Sequence, residues 1–395
     1  MVSDSHLRIV ADAHVWGLNS AFSSLPGFDV DLCVVENREI TRELLQEADI
    51  LLTRSSTKVN AELLKGTNVR FAATATIGDD HYDKRWLEAN GISWANAAGS
   101  STGSVVEYMI TLLLELHVRG LLSIPDSRLG IVGVGRIGSA LAGVCERLGM
   151  KALYNDPPRE RAEGGEQFSS MQRLLGEADI VTLHTPLLRD GGDRTFHLIN
   201  SDWLSRFQGK GIINVARGGC VDNEALLNWL DSDAERFAVL DCWEGEPDIF
   251  KPLLAHPQLV IATPHIAGHS LEGKAANTQY VYSALCSFLG VKPAWNMKDE
   301  LPAVKGVECV AVDEGLWPSL HALATTLYPI MRDDQMMKAW LELPDESLSD
   351  SFFAFRRNYP VRRAWDSRQV TVVDANELFI QYANAIGIDV LNSRG

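Results

Sequence analysis

A glycine-rich turn between an apolar run and a helical pattern constrains this chain more than any other feature. Residues 129–132 are apolar and lead directly into Gly133-x-Gly135-x-x-Gly138, after which apolar residues recur at helical spacing. In such a strand–turn–helix the first glycine permits the tight turn, the second lets a pyrophosphate approach the backbone, and the third allows the helix to pack closely on the strand. The pattern predicts a dinucleotide site on a doubly wound parallel sheet of the Rossmann type.

A carboxylate at the end of the next apolar run indicates which dinucleotide binds. Residues 152–155 form that run and Asp156 follows it. This is close to the spacing of about 20 residues at which an acid accepts a hydrogen bond from the ribose 2′-hydroxyl. Because the same negative charge repels a 2′-phosphate, we expect NAD, and not NADP, as the cofactor.

Length, charge and cysteine content narrow the class of protein. With 395 residues the chain is too long for one ordinary domain, and its net charge of −16 argues against nucleic-acid or membrane partners, which need a basic surface. The six cysteines are scattered without a Cys-x-x-Cys pair, which is typical of reduced thiols and predicts no metal site. The first residues lack the basic-then-apolar pattern of a signal peptide. We expect a cytoplasmic protein of two or three domains.

Five short apolar runs precede the glycine-rich turn and predict a second, flavodoxin-like parallel sheet, because helical or turn-like segments separate them. The loops after the third and fourth runs carry hydroxyl, amide and basic groups, including Ser55 and Thr76. Such groups at the carboxyl ends of parallel strands suit an anionic substrate, and ordinary turn chemistry is the alternative. The runs are 7–11, 30–35, 50–53, 71–74 and 92–95.

Beyond the turn, the pattern predicts four more strands, a long helix and a small α+β domain. Each of the four strands ends in polar residues, and the polar stretch 159–170 before them predicts an exposed loop. The strands are 178–183, 211–216, 237–240 and 259–262; the long helix is 270–289; the last domain has strand-like runs at 309–312 and 370–373 and helical patterns at 319–331 and 378–386.

These elements predict three parts. Residues 1–99, with a helix near 270–292 that returns to them, form a substrate-binding domain. Residues 100–269 form the NAD-binding domain, and residues 293–395 form a C-terminal domain.

Three side chains follow successive strands of the predicted NAD-binding sheet and indicate its chemistry. Arg217 presents a planar fork that matches a carboxylate through two hydrogen bonds. His265 can exchange a proton with a hydroxyl at neutral pH, and Glu246 can bind the other imidazole nitrogen. Each alone is more often a surface or structural residue. Together, after a dinucleotide motif, they predict hydride transfer from a 2-hydroxy acid.

The order of several motifs resembles the D-isomer-specific 2-hydroxyacid dehydrogenase family over about residues 7–290. The resemblance implies Arg217, Glu246 and His265 as active-site residues, and Ser55 and Thr76 as substrate contacts. The motifs are Gly-x-Gly-x-x-Gly, Asp156, His-Thr-Pro-Leu at 184–187, Ala-Arg-Gly-Gly at 216–219, Asp-x-x-x-x-Glu-Pro at 241–247 and Pro-His-x-Ala-Gly at 264–268. The NAD-binding residues predicted from the motif and the resemblance are Gly133, Gly135, Arg136, Ile137, Gly138, Asp156, Thr185, Val215, Ala216, Arg217, Asp241 and Gly268.

Further motifs resemble a branch of that family with a phosphorylated substrate, among them Arg54-Ser55-x-Thr57-Lys58 and a C-terminal extension with Arg356-x-Asn358-Tyr359. This resemblance implies oxidation of 4-phospho-D-erythronate by NAD on the route to pyridoxal 5′-phosphate, in a homodimer joined by the C-terminal domain. The tyrosine with which the family touches substrate is His269 here, and we expect His269 to take its place. The alternatives are a relative that oxidises 3-phosphoglycerate and a non-catalytic scaffold that senses NAD.

Four arginines lie close together in the C-terminal part of this acidic chain, at positions 356, 357, 362 and 363. One interpretation is a solvated basic face paired with neighbouring acids. The other is that a domain added to the core family supplies the contact to an added phosphate, for which arginine is geometrically suited. In a two-fold dimer, the arginines of one subunit can reach the active site of the other. We hypothesise that Arg356 contacts the substrate phosphate across such a dimer.

Overall fold

The structure is a computed structural model that describes residues 6–310, 315–373 and 375–393. The chain divides into two compact units, Met1–Ser101 with Ser270–Ala303, and Thr102–His269 with Val304–Gly395. In this division the residues after 303 belong with the central part of the chain. The three-domain division stays a prediction.

The first unit contains a five-stranded parallel sheet. Its strands are β1 (His6–Asp12), β2 (Asp29–Val35), β3 (Ile50–Thr53), β4 (Phe71–Thr74) and β5 (Ser93–Asn96), and its first helices are α1 (Leu18–Phe22), α2 (Ala61–Leu64) and α3 (Lys84–Ala89). The strand order β2-β1-β3-β4-β5, with all neighbours parallel, confirms the flavodoxin-like prediction. Ile9 packs in one apolar core and Val10 in another, so β1 is buried on both faces, as parallel strands usually are.

The second unit contains a six-stranded parallel sheet preceded by a long buried helix, α4 (Thr102–Val118). Its strand order is β11-β10-β9-β8-β6-β7 with all neighbours parallel, which confirms the Rossmann-type prediction. β7 lies on one side of β6, and the chain then crosses to place β8 on the other side. Doubly wound sheets bind ligands at such a switch point. The strands are β6 (Arg128–Val132), β7 (Lys151–Asn155), β8 (Ile180–Leu183), β9 (Gly211–Asn214), β10 (Phe237–Leu240) and β11 (Leu259–Ala262). The helices are α5 (Arg136–Arg147), α6 (Pro157–Glu163), α7 (Met171–Glu177), α8 (Ser201–Arg206), α9 (Asn223–Asp231) and α10 (Lys251–Leu254).

Helix α6 overturns the prediction of a loop over 159–170, which is wrong for its first part. The Asp156 carboxylate accepts a hydrogen bond from the backbone N–H of Arg159 at 3.1 Å and so caps the helix. Pro157 at the first helical position lacks only an N–H that would have no partner within the helix. These local signals outweigh the polar composition.

Helix α11 (Leu271–Leu289) returns to the first unit. The Ser270 side chain caps its start by accepting from the N–H of Gly273 at 2.9 Å, and Gly290 ends it in the left-handed conformation at φ 71°. The helix packs there through Tyr282, whose ring centroid lies 5.8 Å from that of Phe22. Among the described helices, none combines the length and the apolar composition that crossing a membrane requires.

The C-terminal part of the second unit combines helices with a three-stranded parallel sheet of order β12-β13-β14. The predicted helix over 319–331 is two helices, because Pro329 lacks an N–H and the preceding Tyr328 is extended. Of the strand predicted at 309–312, residues 311 and 312 lie outside the described residues. The elements are β12 (Val307–Val310), α12 (Leu316–Leu327), α13 (Ile330–Lys338), α14 (Leu348–Arg357), β13 (Val370–Val373), α15 (Glu377–Ala385) and β14 (Val390–Ser393).

Candidate active site

The glycine-rich turn has the shape that a bound pyrophosphate needs. Gly133 has φ 86°, and a Cβ on Gly138 would lie 2.1 Å from the Gly133 carbonyl oxygen, so neither position accepts a larger residue without strain. A Cβ on Gly135 would meet nothing within 4 Å, so this glycine faces open space. Helix α5 begins directly after Gly135 without a side-chain cap, which leaves its first N–H groups and its positive end for an anion. The turn therefore fits the pyrophosphate of a dinucleotide.

Asp156 lies at the end of β7, beside the turn. Its Oδ2 accepts from the N–H of Val134 at 2.8 Å, while Oδ1 caps α6. A carboxylate has about four acceptor positions, so these two bonds leave capacity for a ribose hydroxyl. Arg159 lies next to it and donates to the Val134 carbonyl oxygen.

The neighbouring strands β8 and β9 bring three more predicted cofactor residues to the same edge of the sheet. Thr185 follows β8, and its Oγ1 lies 3.6 Å from Sγ of Cys220. Val215 and Ala216, both buried, follow β9. Burial lowers the pKa of the preceding His184 to about 3, so its imidazole is neutral at physiological pH.

Asn214, which the sequence analysis missed, shapes the loop that carries Arg217. Its Nδ2 donates to the carbonyl oxygen of Arg217 at 3.0 Å and of Cys242 at 3.2 Å, and its Oδ1 accepts from the N–H of Ala216 at 3.1 Å. The Arg217 guanidinium donates to the Ala216 carbonyl at 2.8 Å. One sequence signal was available for this role. Asn214 lies near the end of a predicted buried strand, and a buried asparagine must satisfy the hydrogen bonds of its amide.

Gly218 lets the loops after β9 and β10 approach each other. A Cβ at this position would lie 1.8 Å from the carbonyl oxygen of Trp243, so any side chain would push the loops apart. Trp243 is itself fixed by a hydrogen bond from Nε1 to the carbonyl of Thr263 at 3.0 Å. The three strand ends that carry Arg217, Glu246 and His265 are thus connected.

Glu246 and His265 form a direct pair, in which Oε1 lies 2.5 Å from Nδ1. The second carboxylate oxygen accepts from the N–H of Trp243 at 3.1 Å. Burial opposes the ionisation of Glu246, but the charge and hydrogen bond of His265, the Trp243 N–H and the charge of Arg356 together lower its pKa below the ordinary value. Because Glu246 is ionised and can only accept, Nδ1 carries a proton, which leaves Nε2 as the nitrogen that can exchange a proton with a substrate.

Asp241 supports the turn at 265–268 by accepting hydrogen bonds from its backbone N–H groups. His265 has φ 54°, which is uncommon for a residue other than glycine, and its N–H donates to the Asp241 carbonyl at 2.7 Å. The Asp241 carboxylate accepts from the N–H groups of Ile266 at 2.8 Å and Ala267 at 3.1 Å, and from the Thr263 hydroxyl at 2.7 Å. Gly268 completes the turn. The position of Asp241 gives it a supporting role that the sequence did not indicate, while its contact with NAD stays a prediction.

A second histidine–glutamate pair adjoins the loop after β10 and was also missed. Nε2 of His197 bonds to Oε1 of Glu244, whose Oε2 accepts from the N–H of Asn223 at 3.2 Å. Glu244 lies two residues before Glu246, within the predicted motif. His197 follows no predicted strand, so no sequence pattern indicated this contact.

The predicted substrate residues lie in both units. In the first unit, Ser55 is exposed after β3, and Thr76 follows the adjacent strand β4, where its hydroxyl bonds to the Thr74 hydroxyl at 2.7 Å. In the second unit, the His269 ring lies 5.9 Å from the Tyr359 ring, centroid to centroid.

Arg356 lies on α14, close to Glu246 of its own chain. Ser349 on the same helix bonds to Asp248, two residues after Glu246, and Ser349 and Arg356 are two turns apart on one face. The Arg356 guanidinium carbon lies 5.6 Å from the centre of the Phe352 ring. Its Nε is buried without a hydrogen-bond partner in the part of the chain that the structure describes.

Comparison with known proteins gives matches over the NAD-binding part and over the whole chain. Residues 116–267 match the family described as D-isomer specific 2-hydroxyacid dehydrogenase, NAD binding domain. The chain is 39% identical over 386 residues to an erythronate-4-phosphate dehydrogenase of Pectobacterium carotovorum subsp. carotovorum (strain PC1), covering 96% of this chain and 98% of the relative. It is 37% identical over 384 residues to an erythronate-4-phosphate dehydrogenase of Pseudomonas syringae pv. syringae (strain B728a), covering 96% and 99%.

Solved structures share the fold over about three quarters of the chain. A D-lactate dehydrogenase from Aquifex aeolicus, complexed with NAD and lactic acid, superposes with a TM-score of 0.59 at 22% identity, covering 72% of this chain and 95% of that one. An NAD-dependent formate dehydrogenase from Staphylococcus aureus, in complex with NAD, superposes with a TM-score of 0.59 at 23% identity, covering 74% of this chain and 98% of that one. At these identities the likeness supports the fold.

Proposed function

The chain belongs to the erythronate-4-phosphate dehydrogenases, within the D-isomer-specific 2-hydroxyacid dehydrogenase family, and we propose that it oxidises 4-phospho-D-erythronate at C2. The product is 2-oxo-3-hydroxy-4-phosphobutanoate, on the route to pyridoxal 5′-phosphate. The observation that carries the proposal is the Glu246–His265 pair, which follows two strands of the sheet that bears the glycine-rich turn.

Each residue of the pair has a defined task. Nε2 of His265 takes the proton of the C2 hydroxyl, while Nδ1–H donates to Glu246. The ionised Glu246 keeps the imidazole in this tautomer and stabilises the positive charge that develops on it. Bound NAD supplies the hydride acceptor, through its nicotinamide ring.

Arg217 binds the substrate carboxylate. Its guanidinium can form two parallel hydrogen bonds to the carboxylate, which fixes C2 in one orientation. The Asn214 contacts and the close approach at Gly218 shape the backbone that carries Arg217, and the guanidinium itself donates to the Ala216 carbonyl. Ser55, Thr76 and His269 supply further polar contacts to the substrate.

Arg356 binds the terminal phosphate. Its buried Nε has no competing partner among the described residues, and its charge already acts on Glu246 of the same chain. We therefore assign the contact to the subunit that contains the active site, in place of the route across a dimer expected from the sequence. The two routes make different predictions, given in the Discussion.

The protein acts as a cytoplasmic homodimer in this proposal. Several large apolar side chains of the C-terminal part are exposed, including Met336, Phe353, Val361, Leu378 and Leu391. Val361 is 69% exposed, and burial of such side chains in a subunit interface would remove apolar surface from water.

Initial rates of NADH formation test the proposal. Purified protein is given 4-phospho-D-erythronate and 3-phospho-D-glycerate side by side, and we expect the four-carbon acid to be preferred. Preference for phosphoglycerate would contradict the substrate assignment. His265→Ala protein serves as the control, because equal inactivity of both proteins on every 2-hydroxy acid would favour the NAD-sensing scaffold.

A further inference from the structure

Arg362 is a buried arginine that contacts the catalytic turn. The residue is only 6% exposed. One terminal nitrogen of its guanidinium, Nη2, donates to the carbonyl oxygens of Ala267 and Ser104, each at 2.7 Å. Ala267 lies two residues after His265, and Ser104 lies in the first turn of α4. Arg362 therefore joins the C-terminal part of the unit to the turn that carries the proton acceptor.

The guanidinium lies beside a tyrosine–aspartate network, and its Nε and Nη1 are buried without a hydrogen-bond partner among the described residues. Its carbon lies 4.5 Å from the centre of the Tyr328 ring, within the range of a cation–π interaction. Oδ2 of Asp333 accepts from the hydroxyl groups of Tyr328 at 2.9 Å and Tyr359 at 2.6 Å. Burial raises the pKa of Asp333, and these hydroxyl groups and the charge of Arg362 oppose that effect. Such neighbours stabilise a buried charge, because removing an unpaired charge from water costs free energy.

Two buried side chains hold the turn at 265–268, one through its N–H groups and the other through a carbonyl. Asp241 accepts from its backbone N–H groups, and Arg362 donates to its Ala267 carbonyl. The turn needs such support, since a non-glycine residue with positive φ is strained and persists only where surrounding contacts determine it. His265 is that residue, with φ 54°.

We propose that Arg362 is a positioning residue for the dehydrogenase reaction, which fixes His265 through the Ala267 carbonyl. Arg362 touches neither substrate nor cofactor in this assignment. By holding the turn, it sets the direction in which Nε2 of His265 meets the substrate hydroxyl. The inference rests on the proposed function for its kinetic test but has a second test that needs no substrate.

The kinetic test compares Arg362→Met with a matched control, Arg236→Met. The Arg236 guanidinium also lies over an aromatic ring, that of Trp229 at 4.7 Å, and donates to a backbone carbonyl at 2.9 Å, but it precedes β10 and so lies at the opposite end of the strand from Glu246. We expect Arg362→Met to lower kcat by about 10²-fold with little change in KM or NAD affinity, because small misplacements of a catalytic group have effects of this size. Arg362→Lys should recover part of the loss, and Arg236→Met should keep the wild-type kcat.

A double-mutant cycle separates positioning from general stabilisation. If Arg362 acts through His265, Arg362→Met should not slow the residual rate of His265→Ala protein any further. The same fold loss in both backgrounds would overturn the inference, and so would full kcat in folded Arg362→Met protein. Should the methionine variant fail to fold, Arg362→Lys enters the same cycle under the same criteria, because lysine cannot reproduce the planar fork.

The substrate-independent test measures the reactivity of His265 itself. Diethyl pyrocarbonate modifies accessible neutral imidazoles, and mass spectrometry follows the modification of His265 over time. We expect a changed rate in Arg362→Met protein and an unchanged rate in Arg236→Met protein. An unchanged rate in both would overturn the inference even if the substrate assignment were wrong, whereas absent wild-type turnover on 4-phospho-D-erythronate would contradict only the proposed function.

Discussion

Asp156 and Arg159 place opposite charges beside the glycine-rich turn, and both bind the backbone of Val134. Oδ2 of Asp156 accepts from the Val134 N–H at 2.8 Å, and the Arg159 guanidinium donates to the Val134 carbonyl. The acid disfavours a 2′-phosphate, but the base next to it would attract one. We therefore expect discrimination between NAD and NADP to depend on Asp156.

Asp156→Ala should weaken NAD binding by about 1 kcal/mol, through the loss of one hydrogen bond to the ribose. It should also bring the affinities for NAD and NADP closer together, because the repelling charge is gone and Arg159 remains. Fluorescence titration with both cofactors measures the ratio. Asp202→Ala is the control, since the Asp202 side chain pairs with exposed Arg206 one turn along the same helix, α8. An unchanged ratio would mean that Asp156 has a purely structural role at the end of β7.

Glu246→Gln should abolish most of the turnover and leave NAD binding intact. A glutamine amide can donate to Nδ1 of His265, which moves the imidazole proton to Nε2 and removes the acceptor for the substrate hydroxyl proton. We expect kcat to fall by about 10²- to 10⁴-fold, the range for removal of general acid–base catalysis. Steady-state kinetics measure the loss. Wild-type kcat in this variant would exclude Glu246 as the partner that sets the tautomer.

Arg356→Ala should raise KM for 4-phospho-D-erythronate and leave the NAD dissociation constant unchanged. Loss of a charged contact of this kind costs about 2–5 kcal/mol. Arg357→Ala, on the exposed part of the same helix, is the matched control. An unaltered KM in Arg356→Ala protein would rule out the phosphate contact.

Hybrid dimers show which subunit supplies the contact. When Arg356→Ala and His265→Ala subunits are mixed, a contact within one chain leaves no intact site, and we expect no recovery of activity. A contact across the dimer would create one intact site per hybrid. Recovered activity would therefore support the route first expected from the sequence.

Glu115→Gln should destabilise the protein at neutral pH and less so in acid. Glu115 on α4 lies 2.5 Å from Nε2 of His321 on α12, and 2.6 Å from Arg119. The hydrogen bond from His321 and the charge of Arg119 lower the pKa of Glu115 below its ordinary value of 4.5, although burial opposes them. A lowered folded-state pKa gives stability that is fully present above the unfolded-state value and is lost as pH falls through the folded-state value.

We therefore expect Glu115→Gln to lower the free energy of unfolding by about 1–3 kcal/mol at pH 7, the range for hydrogen bonds to charged groups. The difference from wild type should shrink once the pH falls below the ordinary value of 4.5. Urea unfolding of both proteins at pH 7 and below the ordinary value of 4.5 measures this difference in the free energy of unfolding. Glu166→Gln makes the same change at an exposed position and should have little effect at either pH. A difference that stays constant in acid would contradict the assigned ionisation of Glu115.

The strands and the pairing of Glu246 with His265 could be predicted because parallel sheets have a simple local pattern. Apolar runs such as Ile50–Thr53 and Leu259–Ala262 are buried on both faces, and polar residues at their carboxyl ends meet at one edge. Glu246 and His265 follow the neighbouring strands β10 and β11, so their contact required only the order of the sheet.

The supporting residues could not be predicted, because their partners are distant in sequence. Arg362 and Ala267 are 95 residues apart, and no periodic pattern relates them. The arginine cluster suggested a solvated face, whereas Arg362 and Arg363 are 6% and 8% exposed. The missed helix α6 had a different origin, since its Asp-Pro start was visible but its polar surface resembled a loop.

Because the ribosome makes the chain from its N-terminus, the two side chains that support the catalytic turn become available at different times. Asp241 precedes Ala267 by 26 residues and is available as soon as the turn emerges, whereas Arg362 follows it by 95. All six strands of the sheet and the glycine-rich turn are therefore synthesised before the second side-chain support of the catalytic turn. If Arg362 positions His265 as proposed, catalytic competence requires a segment of the chain that is made after the whole sheet.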